Sequence, residues 1–199
     1  NTPGSSDGNS LNIQARFTEK DLYSKINVLS FGFQFKQYYP LELLNGAFAF
    51  RYSFFVSYST NGVFNMYLGG YPDTESLTDS LIDRTSISGL YLRGYPANYF
   101  HSKSLNLANL EYRQKLFNTN IGYSTIPVYI QQFYLRFFYD VASINDKFYE
   151  IDTFHGIGSE LTMQFYLGYL QQYNLSFGYS YGFNKGGENQ IYLNFTGLY

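Results

Sequence analysis

The feature of this sequence that most constrains its fold is an alternation of large apolar residues with small polar ones. The segment 171–183 carries apolar side chains at almost every second position: Tyr173, Leu175, Phe177, Tyr179, Tyr181 and Phe183. The positions between them hold Gln172, Asn174, Ser176, Gly178, Ser180 and Gly182. Successive side chains of a β-strand point to opposite faces, so this pattern predicts strands with one apolar and one polar face.

The same alternation recurs along the chain and predicts an all-β protein. The predicted strands are 23–36, 47–59, 63–70, 104–115, 129–142, 155–168, 171–183 and 188–199, with a weaker ninth at 11–19. Turn-forming residues at 59–62, 144–146 and 184–187 separate several of them. No helical stripe of useful length accompanies these segments.

Composition helps to decide which medium the apolar faces meet. Aromatic residues make up 22% of the chain and charged residues only 14%, against about 25% charged residues in ordinary soluble domains. A soluble sandwich or a lipocalin-like barrel would bury the apolar face and cover the polar one with charges. The polar faces here are mostly Ser, Gly, Asn, Gln and Thr, which suits the interior of a narrow membrane barrel.

We therefore predict an antiparallel transmembrane β-barrel of about eight strands, located in the bacterial outer membrane and in contact with its lipid. The barrel is expected to span 11–199, after a disordered N-terminal tail at 1–10. The last segment places Phe195 and Tyr199 on its apolar side, and a terminal aromatic residue is typical of the assembly signal of outer-membrane barrels. The net charge of −2 gives no basic face for nucleic acid.

One long segment without clear strand character, at about 71–103, is predicted to be an extracellular loop. It contains Leu92-Arg93-Gly94-Tyr95, and two further elements follow in later strands, Leu110-Glu111-Tyr112-Arg113 and Phe138-Tyr139-Asp140-Val141-Ala142. In this order they resemble the (V/L)-R-G-(F/Y), L-E-(F/Y)-R-like and F-x-D-x-G elements of the BamA/TamA/FhaC superfamily, also called the bacterial surface antigen family. The resemblance covers about 63–199, and Ala142 stands where the family pattern has Gly.

The resemblance implies that the long loop folds back into the barrel lumen. Glu111 and Asp140 lie on the polar face of two adjacent predicted strands, where Arg93 would supply the opposite charge. Tyr95 is expected to pack against Phe138, and Gly94 to allow a tight loop tip. The alternative is that Arg93 lies in a solvated loop while the two carboxylates merely line the lumen.

The resemblance also implies a function, namely insertion of proteins into the outer membrane or export of a polypeptide. Client polypeptides and assembly partners are the expected partners, with a client strand added at an open seam of the barrel. Family barrels commonly have sixteen strands after periplasmic POTRA domains, and nothing here resembles a POTRA domain. The eight strands would therefore close alone, form the C-terminal half of a sixteen-strand barrel, or share a larger barrel with a second copy. A structural or adhesion-type barrel is the competing class.

Enzymatic function has weak support in the sequence. The chain has two histidines and no cysteine, so no His/Cys cluster predicts a metal site, and no cofactor is expected. His155 lies near a strand end on the apolar side. His101-Ser102-Lys103-Ser104 would pair a base with a nucleophile, but no acidic residue is placed to orient them. We predict that the protein is not an enzyme, with a lipid-modifying barrel enzyme as the weaker alternative.

Overall fold

The alternating segments form β-strands in a computed structural model of the protein, which describes residues 8–18, 27–41, 45–59, 66–70, 91–123, 126–147, 150–168 and 171–198. The ten strands are β1 (Gly8–Thr18), β2 (Val28–Leu41), β3 (Gly46–Ser59), β4 (Met66–Leu68), β5 (Phe100–Ser102), β6 (Ser104–Tyr123), β7 (Ile126–Lys147), β8 (Glu150–Leu167), β9 (Gln171–Gly182) and β10 (Asn189–Leu198). The all-β prediction is confirmed. Within the described ranges, we find no helix whose length and apolarity would allow it to span a bilayer.

Eight of these strands form one antiparallel sheet in the order β1-β2-β3-β6-β7-β8-β9-β10. The short strands β4 and β5 pair separately and belong to the connection between β3 and β6. The sheet is not closed as a barrel, because β1 and β10 lie at its two edges. The structure thus confirms an antiparallel arrangement of eight strands but not the predicted closure.

Several predicted boundaries were wrong. The predicted weaker strand 11–19 corresponds to β1, which is a full member of the eight-stranded sheet. Of the predicted strand 63–70, residues 63–65 lie outside the described residues, and the described part forms the short β4 outside that sheet. Because β1 begins at Gly8, residues 8–10 belong to a strand and not to a tail; residues 1–7 lie outside the described residues. The predicted turn at 144–146 lies within β7, where Asn145 is the register partner of Ile151 in β8. The turn at 184–187 is present, with Gly186 at a φ of 84°.

The two faces of the sheet differ in chemistry and exposure. We call the side that carries Arg51, Asn109 and Asp140 the polar face and the other side the apolar face. On β9, Phe177 of the apolar face is 57% exposed, whereas Ser176 of the polar face is 6% exposed. Other exposed residues of the apolar face are Leu11, Ile13, Phe31, Phe50, Val56, Leu110, Phe137, Ile157, Leu161 and Leu193. A water-soluble sheet normally buries its apolar side, so this sheet has the opposite sidedness.

One end of the polar face carries a small apolar core. Leu105 and Leu107 of β6 and Ala142 and Ile144 of β7 are buried there, although their parity is that of the polar residues Asn109 and Asp140. They pack with Leu68, Leu92, Tyr95 and Phe100 from the connection between β3 and β6. This cluster holds the connection against the polar face, next to the charged residues that the sequence analysis singled out.

Candidate functional site

The described part of the predicted loop 71–103 is 91–103, of which Phe100–Ser102 form the strand β5. Residues 91–99 lie on the polar face instead of extending away from the sheet. Leu92 N donates to Gly69 O at 2.8 Å, and Gly70 N donates to Tyr95 O at 2.9 Å. At the other side, Glu188 N donates to Gly94 O at 2.9 Å and Gln190 Nε2 donates to Tyr95 O at 2.8 Å. These hydrogen bonds fix Leu92-Arg93-Gly94-Tyr95 to the residues that follow β4 and to the β9–β10 hairpin. Residues 71–90 of the predicted loop lie outside the described residues.

Arg93 is the centre of the site and is only 2% exposed. Its guanidinium binds Asp140 with two atoms: Nε donates to Oδ2 and Nη2 donates to Oδ1, both at 2.7 Å. Its Nη1 donates to Glu111 Oε1 at 3.1 Å, and its backbone N donates to Asp140 Oδ2 at 3.2 Å. A planar guanidinium suits such two-point carboxylate contacts better than an ammonium group. The structure brings together the three residues that the sequence analysis grouped.

The aromatic partners differ from the prediction. The Arg93 guanidinium carbon lies 3.6 Å from the ring centroid of Phe138, so the arginine occupies the ring face expected for Tyr95. Tyr95 instead packs against Phe100 and Phe154, with ring centroids 5.2 and 6.0 Å away. The ring contact expected between Tyr95 and Phe138 is therefore replaced by contacts of Tyr95 with Phe100 and Phe154, while Arg93 lies over Phe138.

The Tyr95 hydroxyl is a second anchor of the loop. It donates to His155 O at 3.1 Å and accepts from Asn184 N at 3.3 Å. Burial raises the pKa of the Tyr95 phenol above its ordinary value, so the hydroxyl keeps the proton that it donates. Tyr95 therefore joins the loop to both β8 and the β9–β10 hairpin.

Glycines of the neighbouring strands make room for the loop backbone. A Cβ added at Gly156 of β8 would lie 2.0 Å from Arg93 O, and one added at Gly182 of β9 would lie 2.3 Å from Gly94 O. Gly94 itself has a φ of 88°, a conformation that costs other residues strain. The glycine-containing strands after the loop thus form the surface on which the loop lies.

The charged network extends beyond the predicted residues. Glu111 Oε2 accepts from Arg113 Nη2 at 2.8 Å and lies 3.8 Å from Arg136 Nε. Arg136 Nη1 in turn lies 3.3 Å from Glu160 Oε1, and Tyr192 Oη donates to Glu160 Oε2 at 3.1 Å. The whole network contains three arginines and three carboxylates, so that its charges are paired: Arg93, Arg113, Arg136, Glu111, Asp140 and Glu160. The network connects the loop to the edge strand β10.

Four further members of the network were not predicted from the sequence: Arg113, Arg136, Glu160 and Tyr192. Nor was Asn109, whose Nδ2 donates to Asp140 Oδ1 at 2.7 Å. The partners of Arg136 depend on strand register, which the local sequence pattern does not specify. One row of successive register partners crosses the sheet from β6 to β10. It consists of Arg113, Arg136, Glu160, Gly178 and Tyr192. The shared polar parity of the charged residues in adjacent strands was the available signal.

The two residues predicted as a terminal signal have different outcomes. Phe195 lies in β10 on the apolar face, with its ring centroid 5.1 Å from that of Tyr173 and 6.2 Å from that of Phe165. Tyr199 lies outside the described residues. The described residues contain no group of three or more His, Asp or Glu that would hold a metal ion.

The segment considered for nucleophilic chemistry has an unsuitable geometry. In β5 the His101 side chain is exposed whereas Ser102 is buried, as expected for neighbours on opposite faces of a strand. Ser102 Oγ donates to Ser104 O at 2.9 Å and accepts from Ser104 N at 3.2 Å. The hydroxyl therefore takes part in a local backbone turn.

Comparison with known proteins does not add to these observations. The chain matches no protein-family model, no curated protein and no solved structure.

Proposed function

We propose that this protein is an outer-membrane β-barrel protein of the BamA/TamA/FhaC type that assists the assembly or export of other polypeptides. The observation that carries the proposal is the Arg93 ion pair, which pins a loop to the polar face of a sheet with an uncovered apolar face. In water, so large an apolar surface would drive aggregation. In a bilayer the same surface meets acyl chains, and the buried polar face becomes the lumen.

The site also supports a barrel larger than eight strands. The interior of an eight-strand barrel is filled by its own side chains. Here the polar face also carries the backbone of 91–99 and the β4–β5 pair, with Arg93, Tyr95 and Phe100 projecting from them. We therefore favour the half-barrel alternative, in which strands outside this chain continue the sheet from β1 and meet β10 at a seam that can open to a client strand.

The edge strand β10 supports a role in handling polypeptides. Its apolar residues Ile191 and Leu193 are exposed, and β9 is its only partner in the described sheet. An exposed strand edge offers backbone donors and acceptors to an incoming strand. In β10, Tyr192 contacts Glu160 of the network and Gln190 contacts Tyr95 of the loop. A strand added at this edge would therefore change the contacts around Arg93.

The proposal is tested by Arg93→Ala in lipid vesicles that contain the protein. The measured quantity is the rate at which a urea-unfolded eight-strand outer-membrane barrel, added from outside, acquires its heat-modifiable folded form. We expect wild-type vesicles to accelerate folding, and Arg93→Ala to reduce the rate toward that of empty vesicles and to open the loop to protease. Removing Arg93 leaves Asp140 and Glu111 without their main buried partner, at a cost of about 3 to 5 kcal/mol.

The matched control is Lys185→Ala, which removes one positive charge in the exposed β9–β10 turn and should change neither readout. If Arg93→Ala leaves both client folding and protease resistance unchanged, the pinned loop has no role. If wild-type vesicles do not accelerate folding at all, the polypeptide-handling function is wrong and the structural or adhesion-type barrel becomes the better description.

A further inference from the structure

A pocket with excess positive charge opens on the polar face between β2, β3 and β6. Its polar lining consists of Lys36, Tyr38, Arg51, Asn109, Glu111 and Arg113. Glu111, its one carboxylate, already lies within ion-pair distance of Arg93, Arg113 and Arg136. The lining therefore carries three cations and one carboxylate that is shared with residues outside the pocket.

Two of the three cations, Lys36 and Arg51, lie side by side on the polar face. Lys36 of β2 and Arg51 of β3 are direct register partners on the same face, and like charges placed directly opposite destabilise a strand pair. Lys36 forms no ion pair with a carboxylate in the part of the chain that the structure describes. The repulsion between them would be relieved by an anion between the two strands.

The Arg51 guanidinium is oriented by a neutral group. Its Nε donates to Asn109 Oδ1 at 3.0 Å, and Asn109 Nδ2 donates in turn to Asp140 Oδ1 at 2.7 Å. On the opposite wall, the guanidinium carbon of Arg113 lies 5.8 Å from the ring centroid of Tyr38. Both arginines are thus held in place by contacts beside the pocket, which lowers the entropy lost when they bind a ligand.

We propose that this pocket binds a phosphate-type oxyanion, either inorganic phosphate or the phosphate monoester of a lipid headgroup. A phosphate monoester carries a charge of about −1.5 to −2 at neutral pH, which is opposite to the net positive charge of the residues that line the pocket. Arginine forks bind its oxygens in pairs, while lysine supplies a point charge. The pocket shares Asn109, Glu111 and Arg113 with the surroundings of Arg93. The phosphate proposal does not rest on the proposed action on polypeptides.

The test is calorimetric titration of the purified protein in zwitterionic micelles. One arm uses inorganic phosphate, and the other uses short-chain phosphatidic acid, with phosphatidylcholine as the blank. We expect saturable binding in at least one arm, weakened about tenfold by Lys36→Gln, as for the loss of one charge-assisted contact. Lys185→Gln, which removes an equal charge in the β9–β10 turn, should leave the affinity within about twofold.

A second variant distinguishes lost binding from lost folding. Lys36→Glu places a carboxylate opposite Arg51, so it should abolish phosphate binding while raising the melting temperature of the ligand-free protein. Binding in the inorganic arm alone identifies free phosphate as the source, and binding in the lipid arm identifies a headgroup. Absence of saturable binding in both arms, or equal weakening by Lys185→Gln, overturns the proposal.

Discussion

Arg93 shows how a buried charge is accommodated in this protein. Its guanidinium meets two carboxylates and an aromatic ring face, and Asp140 accepts further hydrogen bonds from Asn109 and from the Arg93 backbone. A buried ion pair is stable only when its remaining hydrogen-bonding groups are satisfied. The contacts of Arg93 meet that condition, so removal of either carboxylate would leave a costly uncompensated charge.

The fit between the loop and its supporting glycines predicts that Gly156→Ala displaces the loop. The added Cβ would approach Arg93 O to 2.0 Å, which the backbone of neither strand nor loop can accommodate without movement. We expect the free energy of unfolding to fall by about 1 to 3 kcal/mol, the usual cost of overpacking. Trypsin cleavage after Arg93 should accelerate at the same time.

Gly122→Ala is the control for that experiment, because a Cβ there meets Tyr129 at an ordinary contact distance of 3.6 Å. It should leave both the unfolding free energy and the trypsin rate near those of the wild type. Equal tryptic rates for the two variants would show that Gly156 does not support the loop.

At the scale of strands, parity was predictable and register was not. The alternation in 47–59 and 171–183 was sufficient to assign residues to faces, because that assignment requires only a period of two. Asn145 was predicted in a turn because Asn, Asp and Gly favour turns, yet it continues β7 because its partner Ile151 is available in β8. Strand ends depend on such pairing partners, which the local sequence does not specify.

The same distinction separates the predictable part of the site from the rest. Arg93, Glu111 and Asp140 were grouped from motif order and parity. Strand register determines the other contacts. It places Arg136 beside Glu160 and brings the Tyr192 hydroxyl within hydrogen-bond distance of Glu160. Leu105 and Leu107 share the parity of Asn109 but lie beneath the β3–β6 connection, a burial that strand parity alone does not reveal.

The medium around the apolar face is tested by a pair of matched substitutions. Phe177 in the middle of β9 and Phe183 just beyond its end are 57% and 55% exposed. If the face contacts lipid, Phe177→Arg should lower the free energy of unfolding from the bilayer by about 2 to 4 kcal/mol, and Phe183→Arg by about 0 to 1 kcal/mol. Reversible urea unfolding in vesicles gives both values.

A cost below about 0.5 kcal/mol at both positions would indicate that both phenylalanines face water, because exposed substitutions in water usually change stability by no more than that. That result would contradict a lipid-facing β9, whatever the behaviour of the loop.

The sheet as a whole has two edge strands, β1 and β10, and a polar face that is covered by the connection between β3 and β6. Both β1 and β10 carry exposed apolar residues next to backbone groups that lack a strand partner in the described sheet. The polar face holds a loop, a two-stranded pair and six charged residues of the Arg93 network. These features together favour a wider barrel with additional strands over closure of the eight strands alone.

We propose that the apolar face of the sheet meets lipid while the polar face meets an aqueous lumen. The chain has no cysteine, so a single introduced cysteine can carry a spin label whose collisions with oxygen and with a water-soluble nickel complex are measured in vesicles. We predict high oxygen and low nickel accessibility for Phe177→Cys, and lower oxygen with higher nickel accessibility for Asn174→Cys on the polar face. Nickel accessibility at position 177 equal to or above that at position 174 would show that the apolar face does not meet lipid.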